Sequence, residues 1–204
     1  MRISHKYKFV FFSNPKTGSE SIRAMLDPYS DIFSKEKHPI YPNHIIPTKL
    51  KVRFVKMGWN WEEYFKFSFV RNPWDRLVSY YYYTRPNRNY RLLWRKRSPW
   101  NQINALPFYE FIESLNYRKY GLLNQWKFVF DEDNKRLVNF VGRYEDIEKS
   151  CSVICKKLGI EANLPHENIT ARKTKKYKEY YNSQTKRIVA KVFQKDIDLF
   201  GYTF

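Results

Sequence analysis

Residues 8–26 read KFVFFSNPKTGSESIRAML, and this order of residue types predicts a strand, a tight loop and a helix. The run from Tyr7 to Phe12 is apolar, aromatic and β-branched, which favours a buried strand. Residues 13–15, Ser-Asn-Pro, favour a turn and end that strand. Apolar residues then recur at the helical spacing i, i+3, i+4, at Ile22, Met25 and Leu26. Thr17 and Glu20 fit a capping box, with Thr17 as the N-cap and Glu20 reaching back toward it.

A helix that begins just after a strand makes a candidate phosphate site. Its first turn leaves backbone N–H groups unpaired at the positive end of the helix dipole, and these groups can bind an anion. Lys16 adds a cation, Gly18 allows close backbone approach, and three hydroxyl groups add donors. The loop departs from the Walker pattern, because Lys16 precedes the glycine. An ordinary strand-to-helix turn is the alternative. The candidate residues are Lys16, Thr17, Gly18, Ser19, Glu20 and Ser21.

Several segments together resemble one enzyme family. Residues 15–21, PKTGSES, resemble the 5′-phosphosulfate loop of sulfotransferases that use PAPS (3′-phosphoadenosine 5′-phosphosulfate). Residues 67–79, FSFVRNPWDRLVS, look like the 3′-phosphate motif of the same family. Residues 141–146, VGRYED, and 196–204, DIDLFGYTF, are similar to its carbohydrate sulfotransferase branch. Because the matches follow the family's order and span nearly the whole chain, they predict a PAPS-dependent sulfotransferase similar to sulfotransferase family 2.

The resemblance assigns roles to residues outside the first loop. It implies that Arg71 and Ser79 bind the 3′-phosphate of PAPS; a guanidinium suits phosphate because it can form two parallel hydrogen bonds. A helix-capping or salt-bridging Arg71 is the alternative. Relatives often cover the cofactor with a mobile segment, and its cations would here be Arg172 and Lys173. Glu20 departs from the family pattern, since many relatives have a small hydroxyl residue there, and its side chain is expected to turn into the capping box.

The general base is expected in a proline-rich segment, residues 27–48. Transfer to an alcohol needs a group that removes the hydroxyl proton, and histidine suits this because its pKa lies near neutral pH. Relatives place a histidine shortly before the helix that precedes the Arg-Asn-Pro strand, and His44 fits that place. His38 is the second candidate, and a structural histidine is the alternative.

The predicted fold is a single domain over residues 1–204, a three-layer α/β structure. We expect a mainly parallel, doubly wound central sheet with helices on both faces and a topology like that of P-loop NTPases. A second buried strand is expected at 65–70, followed by a helix from Pro73. Further predictions are a short helix at 107–115, a hairpin of strands 127–130 and 137–141, and helices at 144–158 and 182–200. Val153 is expected to face inward.

The chain carries 38 basic and 20 acidic residues, a formal net charge of +18, so its surface field attracts anions. Residues 85–97 interleave arginine and lysine with aromatic residues, which suits a sulfated or acidic glycan but also single-stranded nucleic acid. A solvated basic face without a ligand is the third alternative. A nucleic-acid-binding module leaves both phosphate motifs unexplained, so we expect a carbohydrate acceptor and no nucleic-acid partner. A P-loop kinase or other phosphotransferase is the other rival, and it would need a Walker lysine and a magnesium carboxylate.

The remaining expectations concern metal, membrane and compartment. Cys151 and Cys155 lie four residues apart, without the further cysteines or histidines that a metal site would need, so we expect reduced thiols in or near the core. No apolar run at the start is long enough for a signal peptide or membrane anchor. These features predict a cytoplasmic enzyme with no metal and no membrane span.

Overall fold

A computed structural model of the chain describes residues 1–34, 42–84, 106–115, 124–165 and 175–204. Contacts divide the described residues into two compact units. The first comprises Met1–Arg71 with Leu122–Asn168, and the second Asn72–Gly121 with Ile169–Phe204. The single domain over residues 1–204 stays a prediction.

The first unit is built on a sheet whose described strands are β1 (Arg2–Ser4), β2 (Phe9–Phe12), β3 (Ile32–Phe33), β4 (Phe65–Val70) and β5 (Phe140–Arg143). The strand order is β3-β1-β2-β4-β5. β2 pairs with β4, and β4 with β5, in parallel, whereas β1 is antiparallel to both of its neighbours. All the described strands except β1 therefore run in one direction, which confirms the mainly parallel sheet.

One face of this sheet carries an aromatic core. Phe9 and Phe11 alternate with residues of the opposite face, and they meet Phe67 and Phe69 of β4 in a single buried cluster. Two helices pack on this face, α1 (Ser19–Leu26) and α5 (Ile147–Leu158). They contribute the apolar side chains Ile22, Met25, Leu26 and Ile154 to the cluster. The alternating apolar side chains of β2 and β4 thus pack against the apolar face of α1, as the sequence predicts.

The opposite face of the sheet is covered by α2 (Pro47–Lys56) and the turn that follows it. The ring of Phe12 lies 6.1 Å from that of Trp61, and Trp61 packs edge-on against Phe54 of α2 at 5.1 Å. Helices therefore lie on both faces of the sheet, and the predicted three-layer α/β fold is confirmed.

The described helices of the second unit are α3 (Pro73–Thr84), α4 (Phe108–Ser114), α6 (Ser183–Val192) and α7 (Gln194–Phe200). Asn182 caps α6, where its side chain accepts a hydrogen bond from the backbone N–H of Thr185 at 2.8 Å. The prediction of one continuous helix over 182–200 is wrong. Phe193 leaves helical geometry at φ −111° and ψ 25°, which separates α6 from α7.

The predicted hairpin of residues 127–130 and 137–141 is also wrong. Gln125–Phe128 form a short 3-10 helix rather than a strand. The chain then turns back through an isolated antiparallel bridge between Phe130 and Arg136 and a hydrogen bond from the N–H of Leu137 to the carbonyl of Val129 at 2.8 Å. The turn residues thus predicted the reversal of the chain, but the strand that follows is β5, which pairs in parallel with β4.

Three smaller differences concern the ends and faces of elements. The strand predicted over 7–12 begins at Phe9, because Lys8 turns the chain at φ 49° to form a hairpin with β1, which the sequence did not predict. The helix predicted from Tyr144 begins at Ile147, after a 3-10 turn. Val153 is 47% exposed rather than inward-facing.

Candidate active site

The loop between β2 and α1 has two residues in the left-handed region. Lys16 has φ 64° and Gly18 has φ 75°. Left-handed backbone is unfavourable for a lysine, and such residues concentrate at ligand sites where the surroundings hold them in place. Left-handed residues in a tight loop also turn backbone N–H groups toward one side, as in the concave sites that bind anions. This geometry agrees with the predicted phosphate loop.

The predicted capping box is wrong. In the described structure α1 begins at Ser19 with Gly18 as its N-cap, and no side chain hydrogen bonds to that cap. The Thr17 hydroxyl instead donates to the carbonyl of Asn14 at 2.9 Å and so closes the loop. Glu20 turns outward, with its carboxylate 3.7 Å from the Arg23 guanidinium. The helix therefore begins at a glycine rather than at the predicted Thr17–Glu20 box.

Gly18 is required by both its conformation and its packing. A Cβ atom at this position would lie 2.5 Å from Cδ1 of Ile147 and 3.2 Å from Cδ2 of Tyr144. The positive φ is in addition unfavourable for any residue with a side chain. The start of α5 is thereby packed directly against the phosphate loop.

Arg71 joins the second motif to the first. It follows the last residue of β4 and is 6% exposed. Its Nη1 donates to the backbone carbonyl of Lys16 at 3.2 Å, and its guanidinium carbon lies 3.8 Å from the centre of the Tyr144 ring. Residues 55 positions apart in the sequence thus form one site within the first unit. A guanidinium stacked on an aromatic ring keeps a fixed plane, which favours two-pronged recognition of phosphate.

Two side-chain amides that the sequence reasoning missed hold this arrangement together. Asn14 Nδ2 donates to the carbonyl of Phe69 at 2.9 Å, which ties the phosphate loop to β4. Gln125 forms two hydrogen bonds with the backbone of Arg71, both at 2.8 Å. The sequence carried no signal for Gln125, because its partner is 54 residues away and no motif contains it. In the sequence, Asn14 indicates only a turn.

His44 is also attached to the phosphate loop. It is half-buried, and its Nδ1 lies 2.8 Å from the backbone carbonyl of Ser13. A carbonyl oxygen can only accept a hydrogen bond, so Nδ1 carries the proton in the neutral ring. Nε2 is then the nitrogen that can accept a proton, and the contact fixes the tautomer that a general base needs.

Ser79 lies in the second unit, on α3, and is 3% exposed. The start of α3 is fixed by Asn72, whose Oδ1 accepts from the backbone N–H of Trp74 at 3.1 Å. Its Nδ2 donates to the carbonyl of Thr203 at 2.8 Å. The predicted helix from Pro73 is therefore present, and Asn72 caps it. The contact of Ser79 with a 3′-phosphate stays a prediction.

Four further expectations lie outside the described residues. They concern the alternative base His38, the cofactor-covering cations Arg172 and Lys173, and the basic and aromatic segment 85–97.

Within the described parts of the chain, no group of three or more His, Cys, Asp and Glu side chains is arranged to hold a metal ion. None of the helices described there is long and apolar enough to cross a bilayer. Cys151 and Cys155 are buried and free. Burial, with a smaller effect from Cys155, raises the pKa of the Cys151 thiol to about 12. It therefore stays protonated at neutral pH and is unsuited to nucleophilic attack.

The described side chains can thus perform three tasks in one part of the first unit. The loop at residues 16–18 offers an anion site, Arg71 offers a fixed guanidinium beside it, and His44 offers a nitrogen that can accept a proton. A candidate anion site with a neighbouring base suits the transfer of an anionic group to a hydroxyl group.

Comparisons with known proteins show the family and support the fold. The model of the sulfotransferase family matches residues 1–203. An uncharacterized protein of Archaeoglobus fulgidus is 34% identical over 103 residues, which are 50% of this chain and 72% of the relative. The crystal structure of mouse sulfotransferase SULT7A1 complexed with PAP matches with a TM-score of 0.56 and 17% identity, over 98% of this chain and 90% of that one, and it supports the fold. The chain belongs to the sulfotransferase family.

Proposed function

We propose that this protein transfers the sulfuryl group of PAPS to a hydroxyl group of a carbohydrate. The observation that carries the proposal is the hydrogen bond from Arg71 Nη1 to the carbonyl of Lys16, at 3.2 Å. It brings the residue expected at the 3′-phosphate next to the loop expected at the 5′-phosphosulfate. PAPS is the sulfate donor, as family membership and the PAP-complexed structural neighbour support.

The donor would be held at its two anionic ends. Lys16 and the backbone of residues 17–21 bind the 5′-phosphosulfate, at the positive end of α1. Glu20 contributes through its backbone, because its carboxylate pairs with Arg23. Arg71 binds the 3′-phosphate; the family resemblance predicts the same role for Ser79, with added cations from Arg172 and Lys173. Fixing both ends of the nucleotide sets the position of the sulfur atom, which lowers the entropic part of the barrier.

The reaction needs one proton transfer and one displacement. Nε2 of His44 takes the proton of the acceptor hydroxyl as its oxygen forms a bond to sulfur. The bond from sulfur to the bridging oxygen of PAP breaks on the opposite side, and PAP leaves with both electrons of that bond. Lys16 and the loop amides neutralise the charge that grows on the leaving oxygen. His44 then returns its proton to water, and no metal ion takes part.

A carbohydrate acceptor is supported by two features. Residues 141–146 and 196–204 resemble the carbohydrate sulfotransferases, and the net charge of +18 favours an acidic glycan. The cytoplasmic location remains a proposal from cysteine usage, with both cysteines buried and free. Among the residues that the structure describes, no observation favours the kinase or the nucleic-acid alternative.

Transfer of radiolabelled sulfate from PAPS to a panel of neutral and acidic glycans tests the reaction. We expect labelled product with at least one glycan, and none when ATP that is radiolabelled in its terminal phosphate replaces PAPS. Thermal-shift measurements with PAP, ATP and single-stranded RNA test the two alternatives, a kinase and a nucleic-acid-binding module. Stabilisation by ATP or RNA but not by PAP would contradict the proposal.

His44→Ala tests the base. We expect transfer to fall by about 10²-fold or more, because no imidazole is then present to take the proton of the carbohydrate hydroxyl. Affinity for PAP, measured by titration calorimetry, should stay within about twofold, since no charge at the nucleotide is removed. His5→Ala is the matched control, because His5 lies in the same unit and hydrogen bonds to Tyr64 rather than to the loop. Full activity in His44→Ala would move the base to another residue.

A further inference from the structure

The carboxamide of Gln125 is bound to both backbone groups of a single residue. Its Oε1 accepts from the N–H of Arg71, and its Nε2 donates to the carbonyl of Arg71, each at 2.8 Å. Gln125 is fully buried, in a short 3-10 helix of the first unit. The carboxamide therefore makes the two backbone hydrogen bonds, to the N–H and the carbonyl of Arg71, that a neighbouring strand would make in a sheet.

Such a replacement is needed because Arg71 lies just beyond the sheet. The last residue of β4 with a partner in β5 is Val70, which pairs with Arg143, and the pairing of β2 with β4 ends at Ser68. Backbone groups of a buried residue that lose their partners cost the free energy of desolvation. Gln125 supplies both partners and fixes the backbone of Arg71 in place.

The direction of the Arg71 side chain depends on that backbone. Its guanidinium is stacked at 3.8 Å on Tyr144 and donates to the carbonyl of Lys16. A small rotation of the backbone at Arg71 would be magnified at the end of this long side chain and would break both contacts. The stacking on Tyr144 and the hydrogen bond to Lys16 therefore require a fixed backbone at Arg71, and the hydrogen bonds of Gln125 fix it.

We infer that Gln125 is a positioning residue for recognition of the 3′-phosphate of the nucleotide, acting through Arg71. The inference rests on the proposed role of Arg71 in PAPS binding. Both hydrogen bonds of Gln125 to Arg71 are made to backbone atoms, so we expect their loss to act on binding through the direction of the guanidinium. This distinguishes it from a residue that merely stabilises the fold, whose loss would weaken all nucleotides alike.

The test compares PAP with AMP, which lacks only the 3′-phosphate, by titration calorimetry. Gln125→Met keeps the length of the side chain but removes both hydrogen bonds. We expect affinity for PAP to fall by about tenfold or more, because buried polar groups of Arg71 lose their partners. Affinity for AMP should stay within about twofold. Gln125→Asn, which keeps a shorter buried carboxamide, serves as the second variant and should show the same selective loss.

Asn139→Leu is the matched control. The Asn139 side chain accepts from the backbone N–H of Lys66 at 2.8 Å, so it also anchors β4 but near the opposite end from Arg71. We expect a lower Tm and an unchanged ratio of PAP to AMP affinity. A double-mutant cycle that combines Gln125→Met with Arg71→Ala, measured as PAP affinity, gives a second test. In that background Gln125→Met should weaken PAP no further.

The outcomes separate the inference from the proposed function. Equal weakening of PAP and AMP by Gln125→Met, or an additive loss in the Arg71→Ala background, would overturn the positioning role. If Arg71→Ala itself lowers PAP and AMP affinity equally, the proposed 3′-phosphate site fails instead. A selective loss in both Arg71→Ala and Gln125→Met, without additivity, supports both.

Discussion

Lys16 contributes to the site through two different groups. Its backbone carbonyl accepts a hydrogen bond from Arg71, and its side chain carries the cation expected at the leaving oxygen of PAP. The left-handed φ of 64° belongs to the backbone and would be unfavourable for any non-glycine residue. These contributions can be separated, because truncation of the side chain leaves the carbonyl in place.

Lys16→Ala should therefore reduce turnover far more than it reduces binding. We expect kcat to fall by about 10²-fold or more, because one group that stabilises developing charge is lost. The Arg71 contact with the carbonyl of residue 16 should survive, and with it most of the affinity for PAP. Lys56→Ala, which removes an exposed cation of α2, controls for the change in net charge. Near-normal turnover in Lys16→Ala would remove this lysine from the mechanism.

At the scale of elements, the site depends on the junction between α1 and α5. Gly18 allows the phosphate loop to contact the beginning of α5, where Ile147 and the preceding Tyr144 lie against it. Tyr144 also stacks on Arg71, so the two phosphate motifs share one aromatic side chain between them. The position of the loop and the plane of the guanidinium are consequently coupled.

Gly18→Ala should disturb this junction. We expect a loss of about 1–3 kcal/mol in the free energy of unfolding, from the positive φ and from the contact of the new Cβ with Ile147. Affinity for PAP should fall as well, because the loop must shift. Denaturant melts and calorimetry measure the two effects.

The double variant Gly18→Ala/Ile147→Val separates the two causes, since valine lacks the Cδ1 atom that the new Cβ would meet at 2.5 Å. Ile147→Val alone should destabilise, and it should cost less in the Gly18→Ala background. Strictly additive losses would show that crowding at Ile147 is not part of the effect.

At the scale of the whole molecule, a net charge of +18 acts on every anionic ligand. PAPS is multiply negative, so its association with a positive surface should be accelerated and sensitive to salt. Charge at a distance affects the rate of encounter, whereas the contacts proposed at Lys16 and Arg71 would act on the bound nucleotide. The two contributions should therefore respond differently to ionic strength.

We expect kcat/KM for PAPS to fall severalfold as KCl rises from about 50 to about 300 mM, because the screening length shortens over this range. The value of kcat should change little, since the bound groups are close together and screened less. Steady-state kinetics at each salt concentration measure both, with sucrose as a control for solution effects unrelated to charge. A kcat that falls as steeply as kcat/KM would contradict this separation.

The sequence by itself determined the family, the α/β class and the two phosphate motifs. These depend on local residue types: a buried aromatic run followed by a turn and an amphipathic helix, and Arg71-Asn72-Pro73 between β4 and α3. The period of the apolar residues and the turn chemistry carry this information within a few positions of the chain.

Only the tertiary structure decided which groups meet. Gln125 binds the backbone of Arg71 from 54 residues away, and Tyr144 contacts both Arg71 and the Gly18 loop. The capping box at Thr17 failed for a local reason, because the Thr17 hydroxyl donates to the carbonyl of Asn14, three residues away. The predicted strand 137–141 instead begins at Phe140 and pairs in parallel with β4, a partner that sequence distance conceals. Local propensities are small compared with the burial and backbone pairing that long-range contacts supply.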